Sequence, residues 1–63
     1  MKKGDYVNTP RFLKVRIEDV FESEREARKN GYTETTHYWD DPEYGIYGKS
    51  LDMYHMIFAA FKK

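Results

Sequence analysis

Hydrophobic and charged residues alternate along the segment FLKVRIEDVF, residues 12–21. Leu13, Val15 and Ile17 occupy alternate positions, and charged residues lie between them. A period of two residues is typical of a strand with one buried face. The preceding segment GDYVNTP, residues 4–10, predicts a short edge strand. It would end at Pro10, because proline cannot donate a hydrogen bond to a β-ladder.

The segment SEREARKNGY, residues 23–32, has the signals of a short helix. Ser23 and Glu26 have the spacing of a capping box. In this motif, the side chain of each residue accepts a hydrogen bond from the backbone N–H of the other. Acidic residues near the start and basic residues near the end favour the helix dipole. Gly31 predicts the end of the helix, since glycine tolerates the left-handed conformation of a helix C-terminus. We expect a helix of about two turns.

The middle of the chain predicts a strand, a turn and a weaker strand. The segment TETTHYW, residues 33–39, is rich in the β-branched and aromatic residues that favour strands. The segment DDPE, residues 40–43, predicts a turn because Pro42 presets the backbone for one. The segment YGIYG, residues 44–48, contains two glycines and predicts a weak strand or an irregular arm.

The last segment, residues 50–63, fits two elements. As a helix, it would place Leu51, Tyr54 and Phe58 on one face. As a strand over residues 53–61, it would present apolar residues on both faces, as a central strand does. We favour the strand, because a helix packed on one face would explain the small alanines between larger side chains.

These elements predict an α+β fold in a single domain covering residues 1–63. We expect a small antiparallel sheet of three to five strands, with one short helix packed on a face, in the order β-β-α-β-β. A chain of this length buries only about 60% of the surface that its unfolded form exposes. A deep pocket is therefore unexpected, and we predict that the protein is not an enzyme and uses no cofactor.

Composition and charge narrow the class of protein further. The chain has no cysteine, and its first residues lack the apolar run of a signal peptide, so we expect a cytoplasmic protein. No apolar stretch is long enough to cross a membrane. The net charge is zero, but residues 1–16 sum to +4, residues 17–46 to −6 and residues 47–63 to +2. Mixed surface charge is the ordinary explanation, although an acidic patch for a basic partner is the alternative.

The candidate chemical sites are few. His37, Asp40, Asp41 and Glu43 are residue types that bind metals, but their spacing matches no established site, and we predict no metal. The serines occupy positions expected for caps or turns, and there is no recognisable catalytic triad or glycine-rich phosphate loop.

Aromatic residues are the most unusual feature, because they make up 17% of the chain. They outnumber what one thin core needs, and tyrosine and tryptophan are the residues that most often dominate protein interfaces. We therefore predict a partner-binding surface for a larger protein, formed by Tyr38, Trp39, Asp40, Asp41, Tyr44 and Tyr47. The aromatic residues would anchor the contact, while the acidic residues would orient it.

Two other partners are compatible with the sequence. Exposed tyrosines flanked by Lys14, Arg16 and Lys49 are compatible with single-stranded nucleic acid, although the neutral charge of the domain argues against it. A homodimer that pairs sheet edges would enlarge the small core.

The chain also resembles a family. The run TPRFLKVRIEDVFESEREARKNGYTETTHY, followed by YGKS and MIFAAFKK, resembles a group of short, uncharacterised proteins of gut Firmicutes and their mobile elements. The resemblance covers most of the chain. It implies a bacterial accessory protein, and it brings no assigned activity and no functional residues.

Overall fold

A computed structural model of the chain describes residues 1–9, 13–34 and 41–63. Over these residues the backbone forms an α+β arrangement of four strands and one helix. The elements are β1 (Tyr6–Thr9), β2 (Leu13–Phe21), α1 (Glu24–Lys29), β3 (Tyr44–Ser50) and β4 (Met56–Lys62). Their order along the chain matches the predicted β-β-α-β-β only in part, because β3 lies where a weak strand or irregular arm was predicted.

The sheet is mixed, so the prediction of an antiparallel sheet is only partly right. The spatial order is β1-β2-β4-β3, with β1 antiparallel to β2 and β3 antiparallel to β4. The two central strands, β2 and β4, are parallel. The β3–β4 hairpin inserts β4 beside β2, which buries both faces of β4. Residues Phe58–Phe61 are all buried, as the two-sided apolar pattern predicted.

Strand β2 changes face partway along its length. Its first half pairs with β1, and its second half pairs with β4, with an irregular register between Ile17 and Asp19. A bulge adds one residue to one strand and reverses which side chains point inward. This explains why the apolar spacing changes from Val15 and Ile17 to Val20. Both Ile17 and Val20 pack into the same core cluster.

The helix begins and ends as predicted. Ser23 is the N-cap, and its hydroxyl accepts a hydrogen bond from the Glu26 backbone N–H at 3.3 Å. The reciprocal half of the capping box differs, since the Glu26 carboxylate accepts from the backbone N–H of Glu22 at 3.3 Å. At the other end, Gly31 has a φ of 91°, and Tyr32 N–H donates to the Ala27 carbonyl at 3.0 Å. These two features are those of a Schellman motif.

Two buried clusters cover the two faces of the sheet. One cluster lies beneath α1 and contains Ala27, Tyr32, Tyr47, Ala59 and Phe61. The other lies on the opposite face and contains Val7, Val15, Ile17, Ile46, Phe58 and Ala60. Because Ala27 and Ala59 are small and fully buried, the helix packs closely on β4.

The three strands predicted for the second half of the chain have different outcomes. Of the strand predicted over residues 33–39, the described part shows a single antiparallel bridge between Thr33 and Gly48, and residues 35–40 lie outside the described residues. The weak strand predicted over residues 44–48 is β3, which is fully paired with β4. The final strand begins at Met56 rather than at residue 53, and residues 51–55 form the loop of the β3–β4 hairpin.

Candidate functional site

The structure separates the residues of the predicted partner-binding surface. Tyr38, Trp39 and Asp40 lie outside the described residues. Asp41 holds the start of β3, because its Oδ1 accepts hydrogen bonds from the backbone N–H groups of Glu43 and Tyr44, at 2.8 and 3.0 Å. Asp41 therefore has a local structural role that accounts for its position before Pro42.

Tyr47 lies in the core, so its predicted role as an exposed anchor is wrong. Tyr47 is only 7% exposed. Its ring packs edge-on against the ring of Phe61, with 4.5 Å between the two ring centroids. Its hydroxyl donates to the Glu24 carboxylate and accepts from the Arg28 guanidinium at 3.0 Å. Burial, followed by the bond to Glu24, raises the pKa of Tyr47. Tyr47 thus fastens α1 to the sheet.

Tyr44 and Asp41 share an open depression of about 420 Å³. Its other lining residues come from the N-terminus, β1 and the turn before β3, and they are Met1, Asp5, Tyr6, Val7 and Glu43. The N-terminal ammonium lies 3.5 Å from the Tyr44 hydroxyl. Lys63 donates to the Asp41 carbonyl at 2.6 Å. Groups of the chain itself therefore already occupy part of the polar lining.

Metal ligands do not cluster in the described part of the chain. Residues 1–9, 13–34 and 41–63 hold no group of three or more histidine or acidic side chains arranged to bind a metal ion. His37 and Asp40, two members of the candidate set, lie outside these residues.

In the described part of the chain, the most exposed apolar side chains lie at the end of the β3–β4 hairpin. We call residues 51–56 the hairpin tip. Among the described residues, five large hydrophobic side chains are exposed, and four of them lie in this tip. They are Leu51, Met53, Tyr54 and Met56, with Met53 85% exposed and Tyr54 87% exposed.

Asp52 holds the backbone of the hairpin tip in one shape. Its Oδ1 accepts hydrogen bonds from the backbone N–H groups of Tyr54 and His55, at 2.8 and 2.9 Å. The same carboxylate contacts His55 Nδ1 at 2.9 Å, and Leu51 N–H donates to the His55 carbonyl at 2.9 Å. The Tyr54 N–H, followed by the contact with His55, lowers the pKa of Asp52. Asp52 therefore stabilises the turn in which Met53 and Tyr54 are exposed.

Sequence reasoning missed this site because it treated Met53 as part of a continuous apolar strand. The signal in the sequence was Asp52. Its carboxylate accepts hydrogen bonds from the backbone N–H groups two and three residues later, those of Tyr54 and His55. This spacing is that of an Asx turn, which ends a strand. Met53 and Tyr54 would then have been placed in a loop, where their apolar side chains have no core to enter.

A second exposed surface lies on the outer side of the β1–β2 hairpin. We call it the β1–β2 face, and it is formed by Tyr6, Asn8, Lys14 and Arg16, all of which are exposed. Tyr6 is paired with Arg16, and Asn8 with Lys14, so the four side chains project from the same side of the two strands. Lys49 lies elsewhere, with its ammonium 5.7 Å from the centre of the Tyr32 ring.

Within the described residues, no helix has the length and apolar character required to cross a bilayer. Comparisons with known proteins supply no relative: no family model matches the chain, and no curated protein or solved structure matches it significantly.

Proposed function

We propose that this domain is a small, non-enzymatic protein-binding module, and that the hairpin tip is its contact surface. The observation that carries the proposal is the concentration of exposed Leu51, Met53, Tyr54 and Met56 at the end of one hairpin. Clusters of exposed apolar side chains mark interaction sites, whereas single exposed ones are ordinary. In this proposal the tip replaces Tyr47, which is buried, as the source of aromatic anchors.

The order of the loop supports binding rather than accidental exposure. Fixing a loop in one conformation before binding lowers the entropy lost on association. Asp52 provides this order, since it accepts two backbone hydrogen bonds and contacts the His55 ring. Methionine adapts to irregular apolar pockets, and tyrosine combines a large apolar ring with a polar hydroxyl.

The exposed side chains and the charge of the tip support one kind of partner. Because these apolar side chains are exposed at the end of a hairpin, a concave apolar pocket on a larger protein would complement them. Residues 51–56 contain no lysine or arginine and include Asp52, so the tip lacks the basic residues that attract anionic membranes. We propose further that the domain serves as an accessory or inhibitory protein of a bacterial mobile element, acting in the cytoplasm by occupying such a pocket.

The proposal is tested by affinity capture with the tagged chain from a nuclease-treated bacterial lysate. The wild type is compared with the double variant Met53→Ser, Tyr54→Ser, and with Tyr6→Ser as a control for loss of an exposed aromatic residue elsewhere. A protein retained by wild type and control but lost with the double variant would identify the partner. Retention by all three chains would show that the tip is not the site.

A direct titration then measures the contribution of the tip. With the purified partner, the double variant should raise the dissociation constant at least about 30-fold. A single interface side chain that contributes about 2 kcal/mol has this effect. Asp52→Ala should weaken binding severalfold while the melting temperature is nearly unchanged, because it removes only the order of the loop. An unchanged affinity in both variants would contradict the proposal.

A further inference from the structure

The β1–β2 face combines an aromatic ring with two cations. The ammonium of Lys14 lies 5.5 Å from the centre of the Tyr6 ring, and Tyr6 is 60% exposed. Arg16 lies directly across the ladder from Tyr6. Lys14 and Arg16 are two residues apart on one strand, which separates them by about 6.8 Å along the chain.

The surroundings of this face are of mixed charge, since the depression that Tyr6 borders is also lined by Asp5, Asp41 and Glu43, whereas the cations lie on β2 and at the N-terminus. Lys2 and Lys3 are exposed near the start of β1, and the nearby Asp5 carboxylate accepts a hydrogen bond from the backbone N–H of Lys2 at 2.9 Å. Glu18 opposes the positive charge, because it forms an ion pair with Arg16 at 2.7 Å. That pair is partly exposed, so a stronger anion can displace Glu18 at small cost.

We propose that the β1–β2 face binds single-stranded nucleic acid, with a base stacked on Tyr6 and phosphates held by Lys14 and Arg16. Aromatic rings on a sheet, flanked by cations, are the combination with which proteins bind single strands without reading their sequence. A duplex is a poorer ligand, because its bases are already stacked and present only their edges. Asn8, beside Lys14, adds a polar side chain that can donate to a phosphate or a base.

This inference is independent of the proposed protein-binding function. The hairpin tip and the β1–β2 face share no residue, and the tip carries an aspartate where this face carries cations. Variants of one surface therefore test it without altering the other. Failure of either proposal leaves the other one intact.

The test is fluorescence anisotropy of a labelled 12-nucleotide oligo-dT, titrated with the full chain at several salt concentrations. For two phosphate contacts on a single strand, the logarithm of the binding constant should fall with the logarithm of salt with a slope of about −1.4. The variant Lys14→Ala, Arg16→Ala should weaken binding at least tenfold and bring the slope close to zero. The control Lys29→Ala, Lys62→Ala makes the same change in net charge away from this face and should bind like wild type.

Two single variants separate stacking from charge. Tyr6→Ala should weaken binding at least about fivefold, since stacking of one base contributes about 1 kcal/mol or more. Tyr6→Phe should bind like wild type because it keeps the ring. Glu18→Gln should bind more tightly, since it releases Arg16 from its ion pair.

Three outcomes would overturn the inference. Equal weakening by the Lys29, Lys62 control would show attraction by net charge rather than a site. Equal affinity for a duplex of the same length would exclude base stacking. Equal displacement of the oligonucleotide by poly-glutamate at the same charge concentration would show that charge alone, without base stacking, accounts for binding.

Discussion

Gly45 is the position where the addition of one methyl group should disturb the core most directly. It lies on β3 opposite Phe61 of β4, and a Cβ atom there would lie 2.8 Å from both Cε atoms of the Phe61 ring and nearer still to Cζ. The ring cannot move freely, because it is buried and packs edge-on against Tyr47. The variant Gly45→Ala therefore forces overpacking in an interior that has little free volume.

The expected magnitude follows from two opposing effects. Overpacking a well-filled core typically costs about 1–3 kcal/mol. Replacing glycine with alanine restricts the unfolded chain and recovers about 0.4–1 kcal/mol. We expect Gly45→Ala to lower the free energy of unfolding by about 1–2 kcal/mol. In a domain of this size, that change lowers the melting temperature by about 5–15 °C.

Urea denaturation followed by far-ultraviolet circular dichroism measures this change, and a double-mutant cycle with Phe61→Leu identifies its cause. Leucine lacks the outer ring atoms that meet the added methyl group, so Gly45→Ala should cost much less in the Phe61→Leu background. The cycle subtracts the separate cost of Phe61→Leu itself. If the two substitutions are additive, contact with the ring is not the reason for glycine at this position, and the reasoning is refuted.

Two further predictions concern the attachment of the helix. Ser23→Ala should lower the free energy of unfolding by about 1 kcal/mol because it removes the bond to the Glu26 N–H, whereas Ser23→Asp should retain the cap; thermal denaturation distinguishes the two. Burial, followed by the bond to Asp19, raises the pKa of Tyr32 to about 12, so the neutral phenol is favoured in the folded state. Stability from this shift is fully present below pH 10 and is lost between pH 10 and 12, by at most about 1.4 kcal/mol per pH unit. Denaturant titrations at pH 9, 10.5 and 11.5 should show this fall in wild type and a smaller fall in Tyr32→Phe; equal falls in both would contradict it.

The local signals of the sequence predicted the helix well. Ser23 and Gly31 set its ends through hydrogen bonds and backbone geometry that depend on a few neighbouring residues. The alternation in β2 and the two-sided apolar pattern of β4 were also readable, since the side-chain period of a strand is two. The α+β class follows from these patterns.

The pairing of strands that are distant in sequence could not be predicted from such patterns. Nothing in the alternation of β2 shows that its second half lies parallel to β4, because the same pattern fits either direction. The bulge near Ile17 becomes meaningful only when β1 and β4 are seen to pair with different halves of the strand. The predicted antiparallel sheet was the simpler arrangement, and tertiary packing decided otherwise.

The candidate sites show the same division. By itself, the sequence determined that aromatic residues are in excess, that basic residues are concentrated in its first part, and where the helix begins and ends. Only the tertiary structure decided which aromatic residues are exposed, because Tyr47 and Tyr54 are the same residue type in similarly apolar surroundings. Tyr47 pairs with Ala59 beneath α1, whereas Tyr54 is exposed in a turn that Asp52 stabilises. Exposure depends on what packs against a side chain, and that neighbour is usually distant in sequence.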